Sequence, residues 1–142
     1  MGCNQVKGLL LDTHVWIWYV LGSTEINKSL RKEIGNSIKD NSIYIAAISL
    51  WEISMLESKH RIILEMPCLE WIKNAIEYTH VQILHMIPEI AVESCYLPDS
   101  FHEDPADRLI VATARVEGLP IVTRDARILQ YSKQKYITAI KA

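Results

Sequence analysis

An α/β fold, a parallel sheet joined by crossover helices, is predicted by three features of this sequence. Short apolar runs, Leu9-Leu10-Leu11, Ile43-Tyr44-Ile45-Ala46 and Ile121-Val122-Thr123, alternate with longer amphipathic stretches. An acidic residue stands where the helix after each run begins: Asp12, Glu52 one turn into its segment, and Asp125. A fourth acidic turn, from His102 to Asp107, opens an apolar helix. Finally, 142 residues at 49% hydrophobic content suffice for one domain, residues 1–142, with a buried core and no linker.

Taken in order, strand one is expected over Val6 to Leu11, followed by helices from Thr13 to Val20 and from Asn27 to Ile38. Strand two is Ile43 to Ala46. Ser49 is expected to open a third helix, because Leu50, Ile53 and Leu56 recur at helical spacing with Trp51 and Met55 beside them. Pro67 to Tyr78 reads as helix, Val81 to Leu84 as a short strand, and Pro88 to Tyr96 as helix. A polar loop over Leu97 to Glu103 leads to a helix from Pro105 that stops near Gly118. Pro120 to Thr123 is strand four, a short helix follows Asp125, and Tyr136 to Ile140 is expected at the sheet edge. There is no internal repeat and no low-complexity segment.

Each carboxylate has a purely structural explanation. Ser49-Leu50-Trp51-Glu52 has the spacing of a capping box, and Asp104-Pro105-Ala106-Asp107 reads as N-cap, first helical residue and first-turn acid. Asp12 and Asp125 can cap their helices, and the helix dipole favours all of them. Capping, however, equally accepts Ser, Thr or Asn and gives no reason for acids to recur at one sheet edge. Ligands of open α/β sheets bind at the carboxyl ends of strands. Carboxylates gathered there repel one another unless a cation sits between them, and an all-oxygen donor set suits a hard metal such as Mg²⁺ or Mn²⁺. Asp12 is the least comfortable as a mere cap, because it ends a fully apolar run and a buried unpaired charge is costly.

Composition excludes several classes. Cys3, Cys68 and Cys95 are odd in number and lack CxxC spacing, which argues against a disulfide framework or zinc knuckle and fits a reducing cytosol. The longest apolar stretch, Val15 to Gly22, falls far short of the roughly 20 residues of a membrane span. The first six residues lack an export signal, and Val6 spoils a myristoylation motif. The net charge of −2 is unevenly placed: residues 1–107 carry 8 Lys and Arg against 15 Asp and Glu, whereas residues 108–142 carry 7 against 2. A metal would offset the acids, so that a phosphate backbone could approach with basic side chains flanking the site.

Four segments carry a family resemblance: Leu10-Leu11-Asp12-Thr13-His14, Ser49-Leu50-Trp51-Glu52-Ile53, His102-Glu103-Asp104-Pro105-Ala106-Asp107-Arg108 and Val122-Thr123-Arg124-Asp125. In this order and spacing the chain resembles a PIN domain and, within that fold, the VapC toxins of bacterial toxin–antitoxin pairs. The resemblance implies a three-layer α/β/α sandwich and a Mg²⁺- or Mn²⁺-dependent endoribonuclease that leaves 5′-phosphate and 3′-hydroxyl ends. Asp12, Glu52, Asp107 and Asp125 match the family's acidic quartet. Asp12 and Asp107 are then the direct metal ligands, with Glu52 and Asp125 binding a second metal or positioning water. Asp104 becomes a cap or supporting carboxylate, and Thr13 and Thr123 orient carboxylates or water. The resemblance also implies a homodimer inhibited by a cognate antitoxin. Ala106 stands where the toxins often have an aromatic residue, and His60 where they often have Gly.

Other residues carry weaker expectations. Arg108, Arg124, His14 and His102 lie beside the acids in sequence and are candidates for contact with RNA phosphate. Trp16, Trp18, Trp51 and Trp71 suit either base stacking or the core, with helical spacing favouring the core. A receiver domain wants an acidic pair after strand one and a late Lys, and a haloacid-dehalogenase-like phosphatase wants a second Asp where His14 stands. The alternative of another class is a catalytically silent PIN-like module that binds RNA or an antitoxin without cutting.

Overall fold

Three consecutive leucines set the frame of the sheet. The computed structural model describes residues 8–142, and in it Leu9–Leu11 form β1, all three side chains buried. Leu9 and Leu11 join one hydrophobic cluster and Leu10 the other, as the two-residue period of a strand requires. Val6 and Lys7, expected in this strand, lie outside the described residues. Gly8 precedes the strand because a Cβ there would collide with the Tyr44 ring and the Ser42 carbonyl.

The chain continues through α1 (Thr13–Leu21), α2 (Lys28–Lys39), β2 (Ile43–Ala46), α3 (Ile48–Ser58) and α4 (Cys68–Thr79). It then runs through β3 (Gln82–Leu84), α5 (Pro88–Cys95), α6 (Pro105–Glu117), β4 (Ile121–Thr123), α7 (Ala126–Lys133) and β5 (Ala139–Lys141). All strand pairs are parallel, in the order β3-β2-β1-β4-β5. The expected α/β/α sandwich is therefore present. One cluster packs Trp16, Ile34, Ile53 and Trp71 of α1 to α4 on the sheet, and the other packs Ile90, Ile110 and Ile128 of α5 to α7 on its opposite face. Trp16 and Trp71 meet edge to face at 5.9 Å, and the Trp16 indole donates to Thr79.

The strand order decides where a ligand goes. From β1 the chain moves outward to β2 and β3, then crosses back to β4 and β5, so β1 and β4 are neighbours whose following connections diverge. That crevice, at the carboxyl ends of the strands, is the topological switch point of the sheet. The Asp12 N–H donating to the Val122 carbonyl at 3.0 Å keeps the two strand ends in step.

Two local expectations are corrected. The Ser49 to Glu52 capping box does not form: α3 starts at Ile48 with Ala47 already in the helical region, which leaves Ser49 buried inside the helix. The edge strand begins at Ala139 rather than Tyr136, because the Tyr136 hydroxyl is drawn to Asp99 and its carbonyl accepts from Arg115. His60 adopts φ 58°, in the left-handed region that suits Gly best and that His enters more readily than most residues. No helix among the described residues is long and apolar enough to cross a membrane.

Candidate active site

Asp12 sits at the end of β1 as the N-cap of α1. Its two oxygens are held by different parts of the chain: Oδ1 accepts from the Thr13 N–H at 2.9 Å and Oδ2 from the Thr123 hydroxyl at 2.6 Å. The same Thr123 oxygen accepts from the Asp125 N–H at 3.0 Å. One buried threonine at the end of β4 thus ties Asp12 to Asp125. A backbone N–H and a hydroxyl meet the carboxylate that ends the apolar run.

Glu52 reaches the same place from α3, one turn after Ser49. The Thr13 hydroxyl donates to Glu52 Oε1 at 2.6 Å and also lies 2.8 Å from Ser49 Oγ. With its single proton directed to Glu52, Thr13 accepts from Ser49, so the relay runs Ser49 to Thr13 to Glu52. The expected orienting roles of Thr13 and Thr123 correspond to these bonds. The Ser49 support was missed, since its position suggested a cap.

Asp107 arrives differently from the other three acids. Its helix α6 follows the loop after α5, so this carboxylate does not stand just past a strand. Asp104 caps α6 and accepts from the Asp107 N–H at 3.1 Å, which turns the first helical turn toward the cleft. Asp107 is 9% exposed. Burial, and after it the charges of Asp12, Asp104, Asp125 and Glu52, push its carboxyl from the usual 3.8 up to about 7. Burial likewise raises Asp12 and Glu52, against the opposing hydroxyl bonds from Thr123 and Thr13. His102 Nε2 is buried 3.1 Å from Asp107 Oδ2 without hydrogen-bond alignment, and burial holds its imidazole below the ordinary range.

Asp12, Glu52, Asp104, Asp107 and Asp125 line a cleft of about 440 Å³ together with His14, Trp18, Arg61, Arg124 and Arg127, whereas His102, a candidate for phosphate contact, lies behind Asp107 and does not line it. His14 faces it from the start of α1. Arg124 stacks over Trp18 at 4.5 Å and is anchored to Glu25 and the Ala142 carbonyl. Arg108 is not among the lining residues. Its donors go to the carbonyls of Ser94, Phe101 and His102, so the expectation of a phosphate contact is corrected to a brace for the loop before α6. Trp16 and Trp71 are core, and Trp51 is exposed. Arg61 and Arg127 had no motif signal beyond, for Arg127, its place two residues after Asp125.

The carboxylates ring the cleft rather than closing on a point: among the described residues no three acidic, His or Cys groups form a ready coordination set. Their chemistry nevertheless fits a hard divalent cation. The donors are all oxygen, and Asp107 is raised first by burial and then by its acidic neighbours, two costs that a cation among the carboxylates would offset.

Comparison with known proteins identifies the family and the fold. The PIN domain family matches residues 9–134. Ribonuclease VapC22 of Mycobacterium tuberculosis is 34% identical over 130 residues, 92% of this chain and 96% of that protein. Among solved structures, DNA-bound VapBC from Salmonella typhimurium superposes with a TM-score of 0.70 at 16% identity, covering 96% of this chain and 98% of that one. VapBC2 from Rickettsia felis bound to a promoter DNA fragment gives 0.69 at 17% identity, covering 94% and 98%. FitAcB from Neisseria gonorrhoeae gives 0.63 at 20% identity, covering 93% and 96%. With its parallel sheet, its acids at the switch point and a match that spans most of its length, this chain belongs to the PIN-domain family, on the branch of the VapC ribonucleases.

Proposed function

We propose that the cleft is the active site of a divalent-metal-dependent endoribonuclease, which hydrolyses RNA phosphodiester bonds as the toxin of a toxin–antitoxin pair. The observation that carries this reading is the convergence of Asp12, Glu52, Asp107 and Asp125 on the β1/β4 crevice, with Asp107 pushed up to about 7 by burial and its acidic neighbours. Such a cluster is unfavourable for stability alone and useful for holding Mg²⁺ or Mn²⁺.

Asp12 and Asp107 are the direct ligands in this reading, and Glu52 and Asp125 hold a second cation or the attacking water. A bound divalent cation supplies neutralising charge for the phosphate and acidifies water at neutral pH. Thr123 and Thr13 keep Asp12 and Glu52 in their rotamers, so that little reorganisation accompanies binding. Asp104 sets the angle at which α6 presents Asp107. His14 stands at the cleft mouth, where it can contact the RNA backbone. A cognate antitoxin, a homodimeric assembly, a cytoplasmic location and products with 5′-phosphate and 3′-hydroxyl ends complete the proposal. They rest on membership of the VapC branch.

The test is cleavage of a mixed cellular RNA pool with Mn²⁺ by the parent protein, Asp12→Asn and Asp107→Asn, each checked for folding by circular dichroism. Discrete fragments from the parent alone support the proposal. No cleavage, together with no stabilisation of the parent by Mn²⁺, identifies a silent PIN-like module instead.

A further inference from the structure

Five of the six arginines among the described residues have polar partners, and these divide by kind; Arg61, which also lines the cleft, pairs with no carboxylate of the cluster. Arg31 donates to the carbonyls of Tyr19 and Ser23, Arg108 to three carbonyls, Arg115 to Glu93 and the Tyr136 carbonyl, and Arg124 to Glu25 and Ala142. Arg127 differs from all of these. Its side chain is 61% exposed, and its polar neighbours are carboxylates of the cluster: Nη2 lies 3.5 Å from Asp125 Oδ2 and 3.8 Å from Asp107 Oδ2. These distances exceed those of a charge-assisted hydrogen bond, so the contact is a loose, solvated ion pair. The position is fixed by α7, whose first turn Asp125 caps by accepting from the Arg127 and Ile128 N–H groups.

We propose that Arg127 is a displaceable counter-ion of the acidic cluster: it screens Asp107 and Asp125 in the metal-free protein, gives way to the divalent cation, and then binds a phosphate of the RNA. The inference rests on the cleft being a metal-dependent nuclease site and adds a residue and a sequence of contacts to that reading. The geometry supports each part. Arg127 reaches both an acid at the β4 end and the acid of α6, so it bridges two walls of the cleft. It is exposed enough to swing outward without breaking any buried bond. A guanidinium released beside a bound phosphodiester finds two acceptor oxygens matching its paired N–H groups. Arg127 is thus a positioning residue for substrate, and its two duties have opposite consequences when it is removed.

That opposition supplies the test. Mn²⁺ affinity is measured by calorimetry on the RNA-free parent, Arg127→Gln and Arg127→Lys, and the same proteins are assayed on the mixed cellular RNA pool as a function of salt. Loss of an exposed competing charge should tighten Mn²⁺ binding by Arg127→Gln by about two- to fivefold. Loss of one phosphate contact should raise KM and lower the slope of log KM against log salt by about 0.7. Arg127→Lys retains the charge, so it should restore Mn²⁺ affinity to the parent value and KM in part. A structural role would weaken both properties or neither, and either result overturns the inference. If the parent itself neither binds Mn²⁺ nor cuts RNA, the nuclease reading falls and this inference with it. A failure confined to the variants leaves the nuclease reading standing.

Discussion

Asp107 and Thr13 show how single side chains set the state of this site. Thr13 is fully buried, donates to Glu52 and accepts from Ser49, so one hydroxyl serves a half-buried acid and a buried alcohol at once. Thr13→Val keeps the shape and removes both bonds. Leaving the buried Ser49 and the half-buried Glu52 without their partner should cost roughly 1–3 kcal/mol in urea denaturation, and metal-dependent cleavage should drop as Glu52 loses its orientation. Thr13→Ser should retain both, and a silent Thr13→Val would show that Glu52 needs no anchor. At this scale the sequence was partly legible. Asp12 and Asp125 could be picked out from their places beside apolar runs, and Glu52, Asp107 and the two threonines from the resemblance to the PIN family. The Ser49 contact could not, since it joins residues 36 apart in sequence and exists only once α1 and α3 pack.

At the scale of elements, the loop from Leu97 to Asp104 and helix α6 form a unit that delivers Asp107. Arg108 clamps this loop through the Ser94, Phe101 and His102 carbonyls, and the Tyr131 hydroxyl donates to the Pro98 carbonyl at 2.5 Å. A residue that contacted substrate would act on KM. A loop brace acts on stability and on the placement of Asp104 and Asp107. Arg108→Met is therefore expected to lower stability by roughly 2–3 kcal/mol, to expose the loop to protease, and to reduce kcat with KM nearly unchanged. A rise in KM with full stability would return Arg108 to a substrate role. Most helix boundaries were readable from caps: Asn27, Asp104 and Asp125 each accept from helical N–H groups, and Gly22 and Gly118 end their helices in the left-handed conformation. The start of α3 was not, because Ala47 carries no cap and the chain turns directly from β2 into the helix.

For the whole molecule, the cluster couples folding to pH and to metal. The Asp107 carboxyl is raised from 3.8 to about 7, so between these values the folded state holds a proton that the unfolded chain has released. Stability then falls as pH rises through this window and levels off above pH 7. Asp107→Asn mimics the protonated form. It should match the parent near pH 4, become increasingly more stable up to pH 7, and remain about 1–3 kcal/mol more stable above it in metal-free thermal unfolding. Mn²⁺ should reverse the order at pH 8 by stabilising the parent and not the variant. An Asp107→Asn variant less stable than the parent at pH 8 without metal would show that neither burial nor the acidic neighbours penalise the Asp107 charge.

The sequence by itself determined the alternation of strand and helix and the parallel α/β class, because these follow from local hydrophobic period and turn chemistry. It also marked the acids as candidates, among which the resemblance to the PIN family chose Asp12, Glu52, Asp107 and Asp125. Only the tertiary structure decided which acids meet and what surrounds them. The order β3-β2-β1-β4-β5 puts β1 beside β4, residues more than 100 apart in sequence, and makes Thr123 the link from Asp12 to Asp125. The same packing turned Arg108 toward carbonyls and Arg127 toward carboxylates. Sequence spacing does not encode that choice, since the direction of a long side chain depends on which neighbouring element offers it a partner.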